Sequence, residues 1–313
     1  MPSRPVVVLI LLFWLAVLGV VAYREVVPRF FGSEPPTPEF VAADELSQAT
    51  ISWTIYRGPA DKPTDEKIGK MTSRTEYVAD DDSFRFVNNY HKLKLTLLAF
   101  EVNVVSATTV LRVDRDGRLK EQTLRGNAEI DTGWLGGGQK LTATAEAGGV
   151  VKDGFLEGSA TLTAPDLLSE PSVGTFTPVA VPDGQVLNPL MPVDRLRGVT
   201  PGKRWTVRQV DPLREALSEL MVKGLQEEFA KQGGGKKTPT AVTLPPPPEL
   251  LAEVLLHPVP LDRPGGPVSC WVIEYRCEKP KIEARTYVRR DDGRVLRQEA
   301  TAYGDRLRFE RDE

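Results

Sequence analysis

The sequence predicts a mainly β, α+β protein: one transmembrane helix at the amino terminus, then a curved antiparallel sheet or half-barrel with one amphipathic helix. Three observations predict it. An uncharged apolar run opens at Val6 and closes at Ala22. Segments rich in β-branched and aromatic residues then recur between Asp-Gly and Gly-Pro turn signals. Only the stretch 212–232 carries apolar residues at helical spacing. The 26 glycines and 26 prolines among 313 residues also favour strands and turns over long helices.

The apolar run, VVVLILLFWLAVLGVVA, has no charged residue. As a helix it is about 25 Å long, against about 30 Å for a bilayer core. Tyr23 at its end suits the membrane interface. As a cleaved signal peptide it has Arg4 in front and a Val20-Val21-Ala22 end. As a retained signal-anchor its run exceeds the usual signal core, and no polar stretch precedes the cleavage point. The anchor is the expectation. With Arg4 on one side and Arg24 and Arg29 on the other, loop charge gives little orientation. Long domains translocate largely regardless of such charges, so the remainder is expected to be exported. The predicted location is a single-pass cell membrane protein with a periplasmic carboxy-terminal domain. The first cysteine is Cys270, so no thiol stands near the run to carry a lipid.

Residues 24–41 form a Pro-rich stalk after the anchor of 1–23, and the exported β domain occupies 42–313. Strands are expected at 49–56 (ended by Arg57-Gly58-Pro59), 67–78, 83–88, 100–113, 118–125, 140–147, 154–163 and 174–181. Leu93, Leu95 and Leu97 alternate with Lys92, Lys94 and Thr96 on a further half-buried strand. Asp80-Asp81-Asp82 and Asp114-Arg115-Asp116-Gly117 are the turns, the second supplying the positive φ of a tight hairpin. Asp211 caps a helix with Pro212 in its first position. Leu213, Leu217, Leu220, Met221, Leu225 and Phe229 form its stripe, and Gly233-Gly234-Gly235 ends it. The prolines 245–248 follow, a stiff linker, so 211–262 reads as a helix-plus-Pro-rich insertion. A meander at 268–278, 281–290, 294–302 and 305–311 closes the chain, with Asp291-Asp292-Gly293 as one turn.

Trp53-Thr54-Ile55 is echoed by Trp205-Thr206-Val207, and Asp114 to Leu119 by Arg290 to Val295. Duplication and convergent hairpin chemistry both account for the echo. The series Trp53 to Tyr56, Ile68-Gly69, a polar strand and Val113 to Leu119 resembles the opening of a family of bacterial envelope domains of unknown function. Their fold is similar to that of the periplasmic lipoprotein carriers. In such domains a Pro-Gly turn and aromatic strand, here Pro201 to Val207, opens the second half, and a meander with an Asp-Gly-Arg turn, here Asp292-Gly293-Arg294, closes it. The resemblance implies a curved sheet with a helix on its concave face, able to hold an acyl chain or lie on a partner. The insertion after Asp211 and the missing lipid-bearing cysteine depart from it.

Hydrophobic residues at 41% and charged residues at 27% suit a folded domain. The 40 basic and 43 acidic residues are interspersed at a net charge of -3, so no basic field points to nucleic acid. His91 and His257 have no neighbours that complete a zinc site. Asp80-Asp81-Asp82 with Glu76 lacks the spacing of a calcium loop, and Gly136-Gly137-Gly138 lacks the Lys-Ser/Thr of a phosphate loop. Cys270 and Cys277 sit about 23 Å apart on one extended strand, beyond disulfide reach, so no bridge is expected. No catalytic residue, metal ligand or cofactor is assigned. The expectation is a non-enzymatic, membrane-anchored envelope protein that binds a lipid or hydrophobic ligand, or a protein partner. A hydrolase-like enzyme with a spatially assembled site and a structural assembly subunit are the alternatives.

Overall fold

The structure, a computed structural model, describes residues 36–38, 50–59, 66–97, 100–131, 140–166, 170–181, 193–208, 249–277, 282–302 and 305–312. The apolar run from Val6 to Ala22, the helix of 212–232, the prolines 245–248, Gly136-Gly137-Gly138 and the stalk outside 36–38 lie beyond them; within the stalk, Thr37–Pro38 pair with Leu196–Arg197 as a short strand rather than an unpaired spacer. Among the described residues no helix is long and apolar enough to cross a membrane.

The described chain is almost wholly strand. A first series runs β1 (Thr37–Pro38), β2 (Thr50–Pro59), β3 (Glu66–Val78), β4 (Ser83–Leu97), β5 (Phe100–Asp114), β6 (Leu119–Asp131), β7 (Lys140–Lys152), β8 (Phe155–Thr163) and β9 (Ser172–Ala180). A second runs β10 (Leu196–Arg197), β11 (Arg204–Arg208), β12 (Glu249–Val254), β13 (Val259–Leu261), β14 (Val268–Arg276), β15 (Ile282–Arg289), β16 (Val295–Ala302) and β17 (Asp305–Arg311). Fifteen of these strands form one antiparallel sheet, in the order β11-β12-β14-β15-β16-β17-β2 and then β3 to β9, with β13 beside β14. Two meanders are thus sewn together where the last strand, β17, pairs with β2, Phe309 opposite Ile55. The Thr54 hydroxyl donates to Asp312 Oδ1 at 2.8 Å across the same seam.

The turns follow from their residues. Asp114 Oδ1 accepts from the backbone N–H of Asp116 and Arg118, at 2.9 and 2.8 Å, and Gly117 takes φ 81°. Asp292 plays the same part between β15 and β16, with Gly293 at φ 71°. The guanidinium of Arg289 is paired with Asp292 and holds its carboxyl down at about 2. A carboxylate lowered in this way stabilises the fold above its ordinary pKa of 3.8, and that contribution disappears as pH falls toward 2. Thermal melts between pH 5 and pH 2 are therefore expected to show Tm falling below pH 4. In Asp292→Asn part of that fall should be missing; an unchanged profile contradicts this role.

Three sequence expectations shift. The strand expected to end before Arg57-Gly58-Pro59 runs through them, because Asp305 to Leu307 pair there and Pro59 sits last, where its missing N–H matters least. The segments 83–88 and 93–97 are one strand, β4. It is continuous through a kink at Lys92, whose φ is 52°. The insertion read as 211–262 cannot reach 262, because Glu249–Val254 and Val259–Leu261 are sheet strands. Glu, Leu and Ala in β12 are good helix formers, but Leu250, Ala252 and Val254 alternate inward against β11 and β14, and pairing prevails over propensity.

Candidate functional site

Residues paired across antiparallel strands point to the same face of a sheet. Following the pairs from Trp205 through Ala252, Tyr275, Ala284 and Ala300 to Leu307 defines an inner face in the second meander. Ile55 carries it into the first meander, where Trp53, Met71, Tyr90, Ala107, Gly126, Ala145 and Leu162 lie in line. At its two ends beside the seam this face carries charge: Arg57, opposite Leu307, pairs with Glu66 at 3.2 Å, and Arg311, opposite Trp53, pairs with Asp194 at 2.6 Å.

Most of the paired charge lies on the other face. There Glu274 meets Arg276 and Arg285, Glu299 meets Arg306 and Arg297, and Glu310 meets Arg297. Arg308 lies over the Tyr56 ring at 4.5 Å. This lattice of alternating charge is self-neutralising across adjacent strands, the sheet counterpart of helix ion pairs. A depression of 530 Å³ on the outer side of β5–β8 is lined by Thr108, Thr123, Ser159, Thr161 and the exposed pair Arg125–Glu146, with no nucleophile–base arrangement.

The inner face is not uniform. From β11 to β3 it is sealed: Trp53, Ile55, Met71, Ala252, Ile273 and Val295 have no exposure at all, and one apolar cluster takes in β2–β4, β11, β12 and β14–β17. From β5 to β8 the same face is partly open. Ala107, Leu124, Gly126, Ala145, Gly158 and Leu162 are half-buried, and this half-open row of small and apolar residues is termed the trough. Its buried floor is Leu111, Ala147, Leu156 and Ala160.

Between the sealed and open parts lies a polar node. Ser73 on β3, Asn88 on β4 and Thr109 on β5 are directly opposite one another and all buried. Ser73 Oγ accepts from Trp53 Nε1 at 2.9 Å. Asn88 Oδ1 has no hydrogen-bond partner among the described residues, whereas Thr109 lies within hydrogen-bonding reach of the Tyr90 hydroxyl. The Tyr90 hydroxyl lies beside Thr109, and burial pushes it up to about 12. Leaving such an oxygen as Asn88 Oδ1 buried and unpaired costs about 1–3 kcal/mol.

The residues singled out from sequence fall elsewhere. His91 is exposed on the outer face of β4 and His257 is exposed in the loop after β12. Asp81 is held well below the usual carboxylate range by the Ser83 hydroxyl and by Arg112, and Asp82 is lowered by Arg115 and Tyr77, so these carboxylates already serve cationic side chains. No group of His, Cys, Asp and Glu among the described residues is placed to hold a metal. Cys270, buried, and Cys277, exposed, are free thiols with strand between them. Asn88 and Thr109 escaped the sequence reading, although a signal existed. Phe84, Phe86, Asn88 and Tyr90 alternate along β4 and put an amide in an aromatic row.

Comparisons of this chain with protein families, with curated proteins and with solved structures return no match. The uncharged trough and its polar node therefore stand on their own geometry.

Proposed function

We propose that this protein is a non-enzymatic binder of an amphiphilic, lipid-like ligand, held along the trough of β5–β8 with its polar end at Asn88 and Thr109. The half-open, uncharged part of the inner face on β5–β8 carries this reading. Apolar surface left accessible on a sheet that elsewhere seals the same face marks a binding surface. From Asn88 on β4 across the trough to β8 the path extends roughly 19 Å, the scale of a long acyl chain. In this reading the sheet curls as a half-barrel like that of the lipoprotein carriers, and the run from Val6 to Ala22 anchors it at the cell membrane with its sheet in the periplasm. The burial of β11, β12 and β14 in one cluster with β2–β4 supports the curl.

The test is to fill the trough. Ala145 is half-buried on the inner face and opposite Gly126, so Ala145→Phe puts a ring where the chain would lie. A neutral naphthylamine probe is expected to fluoresce strongly with the wild type and at least about tenfold less with Ala145→Phe, with circular dichroism unchanged. Equal fluorescence from both proteins sinks the trough as the site.

A further inference from the structure

The two meanders repeat one another in register, and the repeat works as an internal control on the polar node. In the first, Trp53, Met71, Tyr90 and Ala107 are opposite one another on β2 to β5. In the second, Trp205, Ala252, Tyr275 and Ala284 are opposite one another on β11, β12, β14 and β15. Two residues further along β5 and β15 come Thr109 and Thr286, both buried. Each has a buried tyrosine hydroxyl beside it, Tyr90 in one meander and Tyr275 in the other, and burial pushes both up to about 12. A turn with Gly117 or Gly293 then leads into the next strand.

The copies differ where Thr109 and Thr286 meet that next strand. Thr286 is opposite Gln298, whose Nε2 donates to the threonine hydroxyl at 3.4 Å. Thr109 is opposite Leu124, which has nothing to donate. The sealed copy therefore supplies an uncharged amide donor to its threonine, and leaves Gln298 Oε1 and Trp205 Nε1 without a partner among the described residues. The partly open copy leaves the buried amide oxygen Asn88 Oδ1 unpaired, and replaces the donor opposite its threonine with an apolar side chain lining the trough.

We infer that the ligand supplies the missing donor: its head group is uncharged and carries O–H or N–H, as in a long-chain alcohol or primary amide, and is neither a carboxylate nor a phosphate. Asn88 Oδ1 only accepts hydrogen bonds, so an acceptor-only head leaves it unpaired. The inner face around the node offers no cation to receive an anion, and desolvating an unpaired charge there is prohibitive. This inference rests on the trough being the binding site and adds the chemistry of the head.

The test is displacement of the naphthylamine probe from the full-length chain by four ligands with the same twelve-carbon chain: dodecanol, dodecanamide, dodecanoate and methyl dodecanoate. Dodecanol and dodecanamide are expected to compete at concentrations roughly tenfold lower than the other two, the worth of one buried hydrogen bond. Leu124→Gln, which gives the open copy the donor of the sealed one, is expected to bring the four ligands within about threefold of each other while probe binding persists. Dodecanoate matching or beating dodecanol in the wild type overturns the inference, as does an unchanged ranking in Leu124→Gln. Failure of the probe itself to bind would remove the trough reading and this one with it.

Discussion

Replacing Trp53 by alanine is expected to destabilise the protein by about 3–5 kcal/mol and to lower Tm by on the order of 10 °C. Trp53 is fully buried on β2, beside the seam where the two meanders join, and packs in the cluster that seals the inner face. Its removal opens a cavity among Ile55, Met71 and Phe309 and also takes the donor from Ser73 Oγ. The matched Trp205 provides a control within the molecule. Its Nε1 is buried without an acceptor among the described residues, so Trp205→Phe loses no hydrogen bond, whereas Trp53→Phe does. Thermal denaturation of the two phenylalanine variants should therefore place Trp53→Phe lower by about 1 kcal/mol. The reverse order would show that the Trp53–Ser73 bond contributes nothing.

A charge placed on the inner face is expected to do comparable damage, while its neighbour on the outer face tolerates one. Ala160 on β8 is almost fully buried between Ala147 and Gly174, in the floor of the trough. Ala160→Asp puts a carboxylate where no cation can reach it, at a cost of several kcal/mol. Ser159 is one residue away and exposed, and Ser159→Asp should stay within about 0.5 kcal/mol of wild type. Urea melts of the pair measure the difference directly. Similar midpoints would mean that the inner face of β8 is wet and that the assignment of faces is wrong.

Much of this sheet was legible in the sequence because its strands alternate and its turns carry Asp-Gly. Strands β3, β5 and β14 to β17 begin and end close to where β-branched runs and turn residues predict. Beyond them, alternation weakens. In β6 the sequence reading stops near Arg125, but pairing with both β5 and β7 carries the strand on to Asp131. The short strand β12 is written in helix-favouring residues and is held by its neighbours alone. The pairing of β17 with β2 joins residues some 250 positions apart, and no local pattern encodes such a contact. The trough was invisible for a related reason: alanine and glycine at 107, 126, 145 and 158 look like weak strand residues until their register lines them up. The polar node was half legible. Asn88 in an aromatic row stands out in sequence, but its unpaired oxygen is apparent only once Ser73 and Thr109 lie opposite it.

Native mass spectrometry of the full-length chain, gently extracted into mild detergent, tests most directly whether the uncharged trough holds an amphiphile. The expected result is a mass excess equal to one neutral, long-chain molecule, removed by organic extraction and missing from Ala145→Phe prepared in parallel. Bare wild-type chain, with no excess above that of Ala145→Phe, would contradict it.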